Sequence, residues 1–134
     1  MTAPIPIGPT LNQIGQIFVN VKDLDRATAF YREVLGMTFL FSAPPGMAFF
    51  DCGGIRIMLG RADRPEIDHI ASIIYYKVEG IERVYETFKA AGVEFILAPH
   101  LVAQMPTYDL WLADFKDSEG NILALMSEVS REVA

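Results

Sequence analysis

The chain has 134 residues, of which 51% are hydrophobic and 21% are charged, and its formal net charge is −6 at pH 7. This length fits one domain, and the acidic balance argues against a nucleic-acid surface, which needs clustered Lys and Arg. No apolar run reaches the roughly 18 residues needed to cross a bilayer, and the N-terminus lacks the pattern of a signal peptide. The single cysteine, Cys52, cannot form an internal disulfide, so we expect a cytoplasmic protein.

The first half of the chain predicts one strand, one helix and then three strands. Residues 14–21 are rich in β-branched and apolar side chains, and Asp23 follows where a helix N-cap belongs. Apolar residues at helical spacing then predict a helix that ends at Gly36. Three further strands are expected over residues 37–42, 47–52 and 55–59, separated by turns rich in Pro and Gly.

The second half repeats this order, with Val78 corresponding to Val21 and Gly92 to Gly36. A strand over residues 70–78 precedes a helix closed by Gly92, and further strands are expected over 93–97, 108–116 and 121–127. A longer connection covers residues 100–107. The repeat predicts an α+β fold, in which two βαβββ modules form an open curved sheet or partial barrel around a cleft. We expect a single domain over residues 12–129, with modules at about 12–60 and 68–129. A flexible N-terminal arm (1–11) and a C-terminal tail (130–134) would flank it.

Several short segments resemble the vicinal oxygen chelate superfamily, which includes glyoxalase I, extradiol dioxygenases and bleomycin-binding proteins. These segments are residues 21–27, Phe30-Tyr31, residues 34–37 and residues 117–121. The resemblance covers nearly the whole chain, and it implies two paired modules in a protein that commonly forms homodimers. In the metal-using members, four strand positions supply the ligands of one divalent ion.

In this sequence, the four corresponding positions are Gln16, Met58, Ile73 and Ala124. Isoleucine and alanine have no donor atom, and a thioether is a poor ligand for an ion that prefers oxygen. The residues on either side of the last three positions supply no His, Asp or Glu either. We therefore expect no metal ion and no other cofactor, and we do not expect glyoxalase I or dioxygenase activity.

Apolar residues at ligand positions, together with aromatic residues on strands, predict a cleft that binds a small hydrophobic or aromatic molecule. Phe50 is another aromatic residue on a predicted strand, and several of these residues are expected to point into the cleft. The predicted binding residues are Gln16, Phe18, Met58, Ile73, Tyr75, His100, Tyr108, Trp111 and Ala124. The expected partners are this small molecule and a second copy of the chain.

Two other functions stay open at this point. One is a lyase or isomerase of the same superfamily, with His100 or Asp114 as the acid–base group. His100 is expected in the long connection near the mouth of the cleft. Strand alternation puts Asp114 on the face opposite Trp111, and this face is either the cleft or the solvent side. The other is a domain whose main role is assembly.

Overall fold

The computed structural model describes residues 12–69 and 72–131, and its strands and helices repeat one order twice. The first module consists of β1 (Gln16–Asn20), α1 (Leu24–Ala29), β2 (Thr38–Ala43), β3 (Met47–Cys52) and β4 (Ile55–Gly60). The second module consists of β5 (Ile74–Lys77), α2 (Ile81–Ala90), β6 (Phe95–Gln104), β7 (Tyr108–Lys116) and β8 (Ile122–Ser130). A short 3-10 turn, Pro65–Ile67, lies between the modules. The prediction of an α+β fold with two βαβββ modules is confirmed.

Each module forms its own four-stranded open sheet with the same topology. The strand order is β1-β4-β3-β2 in the first sheet and β5-β8-β7-β6 in the second. The first strand of each module pairs in parallel with the last, and the other pairs are antiparallel. The predicted arm (1–11), residues 70–71 and the end of the predicted tail (132–134) lie outside the described residues. No described helix is long and apolar enough to cross a membrane.

The first helix begins at the predicted N-cap and is followed by a π-helical turn. The Asp23 carboxylate accepts a hydrogen bond from the Arg26 backbone N–H at 3.0 Å, which satisfies one of the free donors at the helix start. After α1 the chain continues as one π-helical turn, Phe30–Val34, and Gly36 follows with a φ of 70°. This wide turn contains Tyr31, whose side chain is fully buried.

One hydrophobic core joins the two modules. Each sheet packs one face against its helix, and the buried residues of both modules form a single cluster on these helix-covered faces. Its fully buried large side chains are Tyr31, Phe50, Phe115, Ile57, Leu59, Leu123, Leu125, Val19 and Val21. Among the described residues, no helix covers the opposite face of each sheet, and we call this face the open face. Strand alternation therefore decides which side chains belong to the core and which to the open faces.

Polar contacts hold the β7–β8 turn against the start of α1. The buried Asp117 carboxylate accepts a hydrogen bond from the Tyr31 hydroxyl at 2.7 Å. Two residues on, Glu119 Oε1 accepts the backbone N–H groups of Lys22 and Asp23 at 3.0 and 2.8 Å. Its Oε2 is 2.8 Å from Arg26 Nε. The hydrogen bond from Arg26 is the main cause that lowers the pKa of Glu119 to about 2. The second module is thus anchored to the first by buried carboxylates.

The structure corrects one prediction about the second module. Strand β6 extends to Gln104 and is not limited to residues 93–97, so His100 lies on a strand and not in a connection. The register of β6 against β7 shifts three times, and these irregularities interrupt the alternation that would identify a strand. Pro99 fits within β6 because this strand lies at the edge of its sheet, where a missing N–H is tolerated.

Candidate functional site

An apolar row crosses the whole open face of the first sheet. Phe18 pairs with Met58, Met58 with Phe49, and Phe49 with Phe41, one residue from each strand. The rings of Phe41 and Phe49 stack with their centroids 4.7 Å apart. Phe49 is only 8% exposed although it lies outside the core cluster, because its neighbours in the row cover it. The row is therefore an ordered aromatic surface and not a set of scattered side chains.

Polar groups at one side of this row already contact one another. Arg56 Nε donates to Gln16 Oε1 at 2.9 Å, and Gln16 Nε2 lies 3.6 Å from the Met58 sulfur. The Arg56 guanidinium also sits over the Phe49 ring, 5.5 Å from its centroid. The structure thus brings together Gln16 and Met58, which are two of the four positions that correspond to the metal ligands of related proteins. The Gln16 side-chain oxygen therefore already accepts a hydrogen bond from a cationic side chain.

A cavity of about 590 Å³ borders the other side of the row. Its walls include Phe18, Met58, Leu24 and Met47. Gly60 also lines it, and a Cβ atom at this position would lie 3.3 Å from Phe18 Cε2. The Phe18 ring therefore packs against a glycine backbone, which fixes the ring at the edge of the cavity. This volume is within the range of small-molecule sites.

The equivalent row of the second sheet has a different chemistry. Tyr75 pairs with Ala124, Ala124 with Asp114, and Asp114 with Leu97. Ala124 is fully buried, whereas Tyr75 and Leu97 are 50% and 47% exposed. The Asp114 carboxylate makes no hydrogen bond or ion pair with another described residue. Asp114 therefore lies on the open face of the second sheet, between apolar neighbours.

Other predicted residues of the second module divide between the two faces. Tyr108 is the first residue of β7 and lies on the same side of this strand as Asp114. Lys77 Nζ pairs with a Glu128 carboxylate oxygen at 2.7 Å. The hydrogen bond from Lys77 is the main cause that lowers the pKa of Glu128. Ile73, 45% exposed, precedes β5. Trp111 packs against the core and lies on the opposite face of the sheet from Asp114, so it is not brought together with the others.

His100 shares the open face with Asp114. It pairs with Leu112, the neighbour of Asp114 on the same side of β7. The His100 Nδ1 lies 2.8 Å from the Ala98 carbonyl oxygen. A carbonyl oxygen can only accept, so Nδ1 is the donor in this contact, and Nε2 makes no part of it.

The four positions that hold a metal ion in related proteins do not fit one here. They carry a carboxamide, a thioether and two side chains without donor atoms, and the carboxamide oxygen is already bound to Arg56. Within residues 12–69 and 72–131, no three His, Cys, Asp or Glu side chains come together in a group that could hold an ion. The residues at these positions therefore do not fit a metal ion.

The sequence reasoning missed two members of the first row, Phe41 and Phe49, and it considered Phe50 instead. Phe50 is fully buried in the core, in contact with Tyr31 and Phe39. The signal that would have found Phe49 is the two-residue turn at Gly53-Gly54, which pairs Cys52 with Ile55. Counting back from that pair sets Phe49 opposite Met58.

Two modules of this topology around one core define a paired βαβββ protein. Residues 13–125 match the family described as the Glyoxalase/Bleomycin resistance protein/Dioxygenase superfamily, and the chain belongs to this superfamily. No curated protein matches the chain.

Solved structures share this fold. A superfamily member from Sphaerobacter thermophilus is 20% identical with a TM-score of 0.74, over 88% of this chain and 98% of that chain. TioX from Micromonospora sp. ML1 is 19% identical with a TM-score of 0.71, over 88% and 100%. Lactoylglutathione lyase from Agrobacterium tumefaciens is 20% identical with a TM-score of 0.69, over 88% and 95%. At these identities the likeness concerns the fold alone.

Proposed function

We propose that the protein binds a small hydrophobic or aromatic molecule on its open faces without the help of a metal ion. The observation that carries this proposal is the row Phe18, Met58, Phe49 and Phe41 beside a cavity of about 590 Å³. Stacked rings and a thioether offer a flat, polarisable surface to a planar ligand. Binding of this kind requires no reacting group.

Independence from metal is supported by the residues at the ligand positions. The lactoylglutathione lyase that shares the fold is an enzyme by its name, but at 20% identity we do not extend this activity to the present chain. Ile73 and Ala124 offer no lone pair, and Gln16 is held by Arg56. An apolar lining at these positions favours a ligand that is itself apolar.

We further propose that a second copy of the chain completes the site. The open faces expose large apolar side chains, with Phe41, Tyr75 and Leu97 each 46–50% exposed. Apolar patches of this kind mark interaction surfaces, and a homodimer buries them. Analytical ultracentrifugation is expected to show a dimer at micromolar concentration. Replacement of Leu97 by Lys should shift it toward monomer, and a wild-type protein that stays monomeric would contradict the dimer.

The ligand proposal can be tested with N-phenyl-1-naphthylamine, a neutral aromatic probe whose fluorescence rises in apolar sites. We expect saturable binding that weakens roughly five-fold in Phe41→Ala, because one stacking partner is lost. The matched control is Ile96→Ala, since Ile96 is 45% exposed and Phe41 is 46% exposed. Equal loss in both variants, or no saturable binding to the wild type, would contradict the proposal.

The metal-independent part has its own test. Protein purified without chelators is expected to contain well below one divalent ion per chain by mass spectrometry, because structural binding needs three or four donor groups. Addition of Zn²⁺, Ni²⁺ or Mn²⁺ should leave probe binding unchanged. A stoichiometric ion that is lost in Gln16→Ala would refute this part of the proposal.

A second candidate function is an acid–base enzyme, a lyase or isomerase, and the specific observation behind it is Asp114. Its carboxylate lies in an apolar row with no partner among the described residues, so it is available to accept a proton or a cationic group. His100 lies on the same open face, and its Nε2 is not part of the Ala98 contact.

This candidate is tested by untargeted mass spectrometry of a metabolite extract incubated with the protein. An isomerase changes the ratio of two compounds of equal mass, and a lyase converts one compound into two whose masses sum to it. Asp114→Asn is nearly isosteric and should abolish the change. If wild type and Asp114→Asn give the same metabolite profile, an enzymatic role of Asp114 is excluded.

A further inference from the structure

The cavity beside the apolar row of the first sheet has two charged residues in its lining. They are Arg61 and Asp63, which follow the end of β4 and are both exposed. The rest of the lining consists of apolar residues and glycine, among them Phe18, Leu24 and Met47. The cavity of about 590 Å³ therefore combines apolar walls with one positive and one negative residue.

Neither charge is neutralised by a described part of the protein. Arg61 and Asp63 form no ion pair with each other, and neither side chain makes a hydrogen bond or an ion pair with another described residue. Arg56, on the other side of the row, differs in this respect because it is already bound to Gln16. Since Arg61 and Asp63 are exposed, a ligand in the cavity reaches them without displacing an internal contact.

The segment that carries the two charges is fixed to β1. The Ala62 N–H, which lies between them in sequence, donates to Asn20 Oδ1 at 3.1 Å. Just before it, the Gly60 carbonyl oxygen accepts the Val21 N–H at 2.9 Å. The backbone of the two charged residues is thus held next to the first strand before a ligand arrives. Such preorganisation lowers the entropic cost of binding.

We propose that this cavity selects a zwitterion, and that its ligand is a free α-amino acid with an aromatic side chain. The ligand carboxylate pairs with the Arg61 guanidinium, and its ammonium pairs with the Asp63 carboxylate. The ligand ring packs against Phe18 and Met58. A ligand with a single charge meets one residue of like charge at this position, whereas a zwitterion satisfies both. This inference rests on the function proposed above, since it names the class of molecule that binds beside the apolar row.

The test compares four compounds that share a phenyl ring and differ in charge. L-Phenylalanine carries both charges, 3-phenylpropionate only the carboxylate, 2-phenylethylamine only the ammonium, and 2-phenylethanol neither. Each is titrated into ¹⁵N-labelled protein, and amide shifts are expected at Gly60 and Ala62, which line the cavity. L-Phenylalanine should bind about five-fold more tightly than either singly charged compound, because each exposed charged pair contributes modestly.

Two substitutions assign the charges. Arg61→Gln should remove the advantage of L-phenylalanine over 2-phenylethylamine, and Asp63→Asn should remove its advantage over 3-phenylpropionate. Thermal unfolding of both variants should match that of the wild type, because neither side chain has a partner among the described residues. The matched control is Arg64→Gln: Arg64 is also exposed but lies outside the cavity lining, so all four affinities should stay unchanged.

The outcomes distinguish this inference from the proposed function. If 2-phenylethanol binds at the cavity and L-phenylalanine binds no more tightly than the singly charged compounds, zwitterion selection is overturned and the apolar site stands. A preference for L-phenylalanine that persists in both Arg61→Gln and Asp63→Asn also overturns it. If none of the four compounds binds at any soluble concentration, both the inference and the apolar site are contradicted.

Discussion

Glu119 and Arg26 form a two-point ion pair across the two modules, although they are 93 residues apart in sequence. Arg26 Nε and Nη2 lie 2.8 and 3.0 Å from the two carboxylate oxygens. The Glu119 side chain is 1% exposed, whereas that of Arg26 is 55% exposed. The carboxylate also accepts two backbone N–H groups at the start of α1. A turn of the second module thus supplies the anion that stabilises the first helix.

Replacement of Glu119 by Gln should lower the free energy of unfolding at pH 7 by about 2–3 kcal/mol, because charged hydrogen bonds from a buried carboxylate are lost. Urea denaturation measures this change. The matched control is Glu94→Gln: Glu94 pairs with Lys116 at 3.3 Å, but both side chains are exposed. A pair of this kind contributes at most about 1 kcal/mol. Equal losses in the two variants would show that burial of Glu119 is not decisive.

The pH dependence of stability should carry the signature of Glu119. Its pKa is about 2 in the folded protein and 4.5 without these contacts, so its contribution is complete above about pH 5. The contribution is lost as the pH falls toward 2, and it amounts to about 3 kcal/mol. The stability difference between wild type and Glu119→Gln should therefore be constant from pH 7 to 5 and shrink below pH 4.5. A difference that stays constant down to pH 2.5 would refute the assignment.

Two buried tyrosine hydroxyls should respond differently to removal. Tyr31→Phe deletes the 2.7 Å hydrogen bond to the buried Asp117 carboxylate and should cost about 1–3 kcal/mol of unfolding free energy. Tyr76→Phe deletes a hydroxyl that has no partner among the described residues and should be neutral or slightly stabilising in ligand-free protein. Both variants keep their rings, so packing is matched. Thermal unfolding of the two proteins side by side is sufficient; a larger loss in Tyr76→Phe would contradict the expectation.

A methyl group at Gly60 should disturb the cavity beside the apolar row. The new Cβ would lie 3.3 Å from Phe18 Cε2, so the ring must move by a few tenths of an ångström. We expect Gly60→Ala to destabilise the protein by about 1 kcal/mol and to shift the Phe18 ring resonances. Gly15→Ala is the control, because a Cβ there meets no atom within 4 Å. Unchanged Phe18 resonances in Gly60→Ala would contradict this account of the ring's position.

The repeated order of strands and helices was predictable from sequence because its signals are local. Asp23 caps the first helix, and Gly36 and Gly92 follow the two helices with φ angles of 70° and 94°. Glycine adopts these angles without strain, so it marks the end of a helix in the sequence itself. Strand alternation also placed Asp114 and Trp111 on opposite faces, as the structure shows.

The parts that failed depend on contacts distant in sequence. The extension of β6 through His100 is stabilised by pairing with β7 across three register shifts, which no periodicity in β6 reveals. The burial of Phe49 likewise arises from Phe41 and Met58 on neighbouring strands. The role of Glu119 depends on Arg26 and on two backbone N–H groups of the other module. In each case the contacting residues are distant in sequence, so the residues next to His100, Phe49 or Glu119 give no sign of them.

The single core shared by the two modules makes the duplicated chain one cooperative unit of folding. Buried side chains of both halves belong to this one core, so an isolated half would expose part of it to water. Cleavage of the backbone between the modules would therefore leave two fragments that are stable only as a reassembled pair. A substitution in the core of either half therefore lowers the stability of the whole chain. The open faces lie outside the core, so the side chains of one open face can be substituted without affecting those of the other.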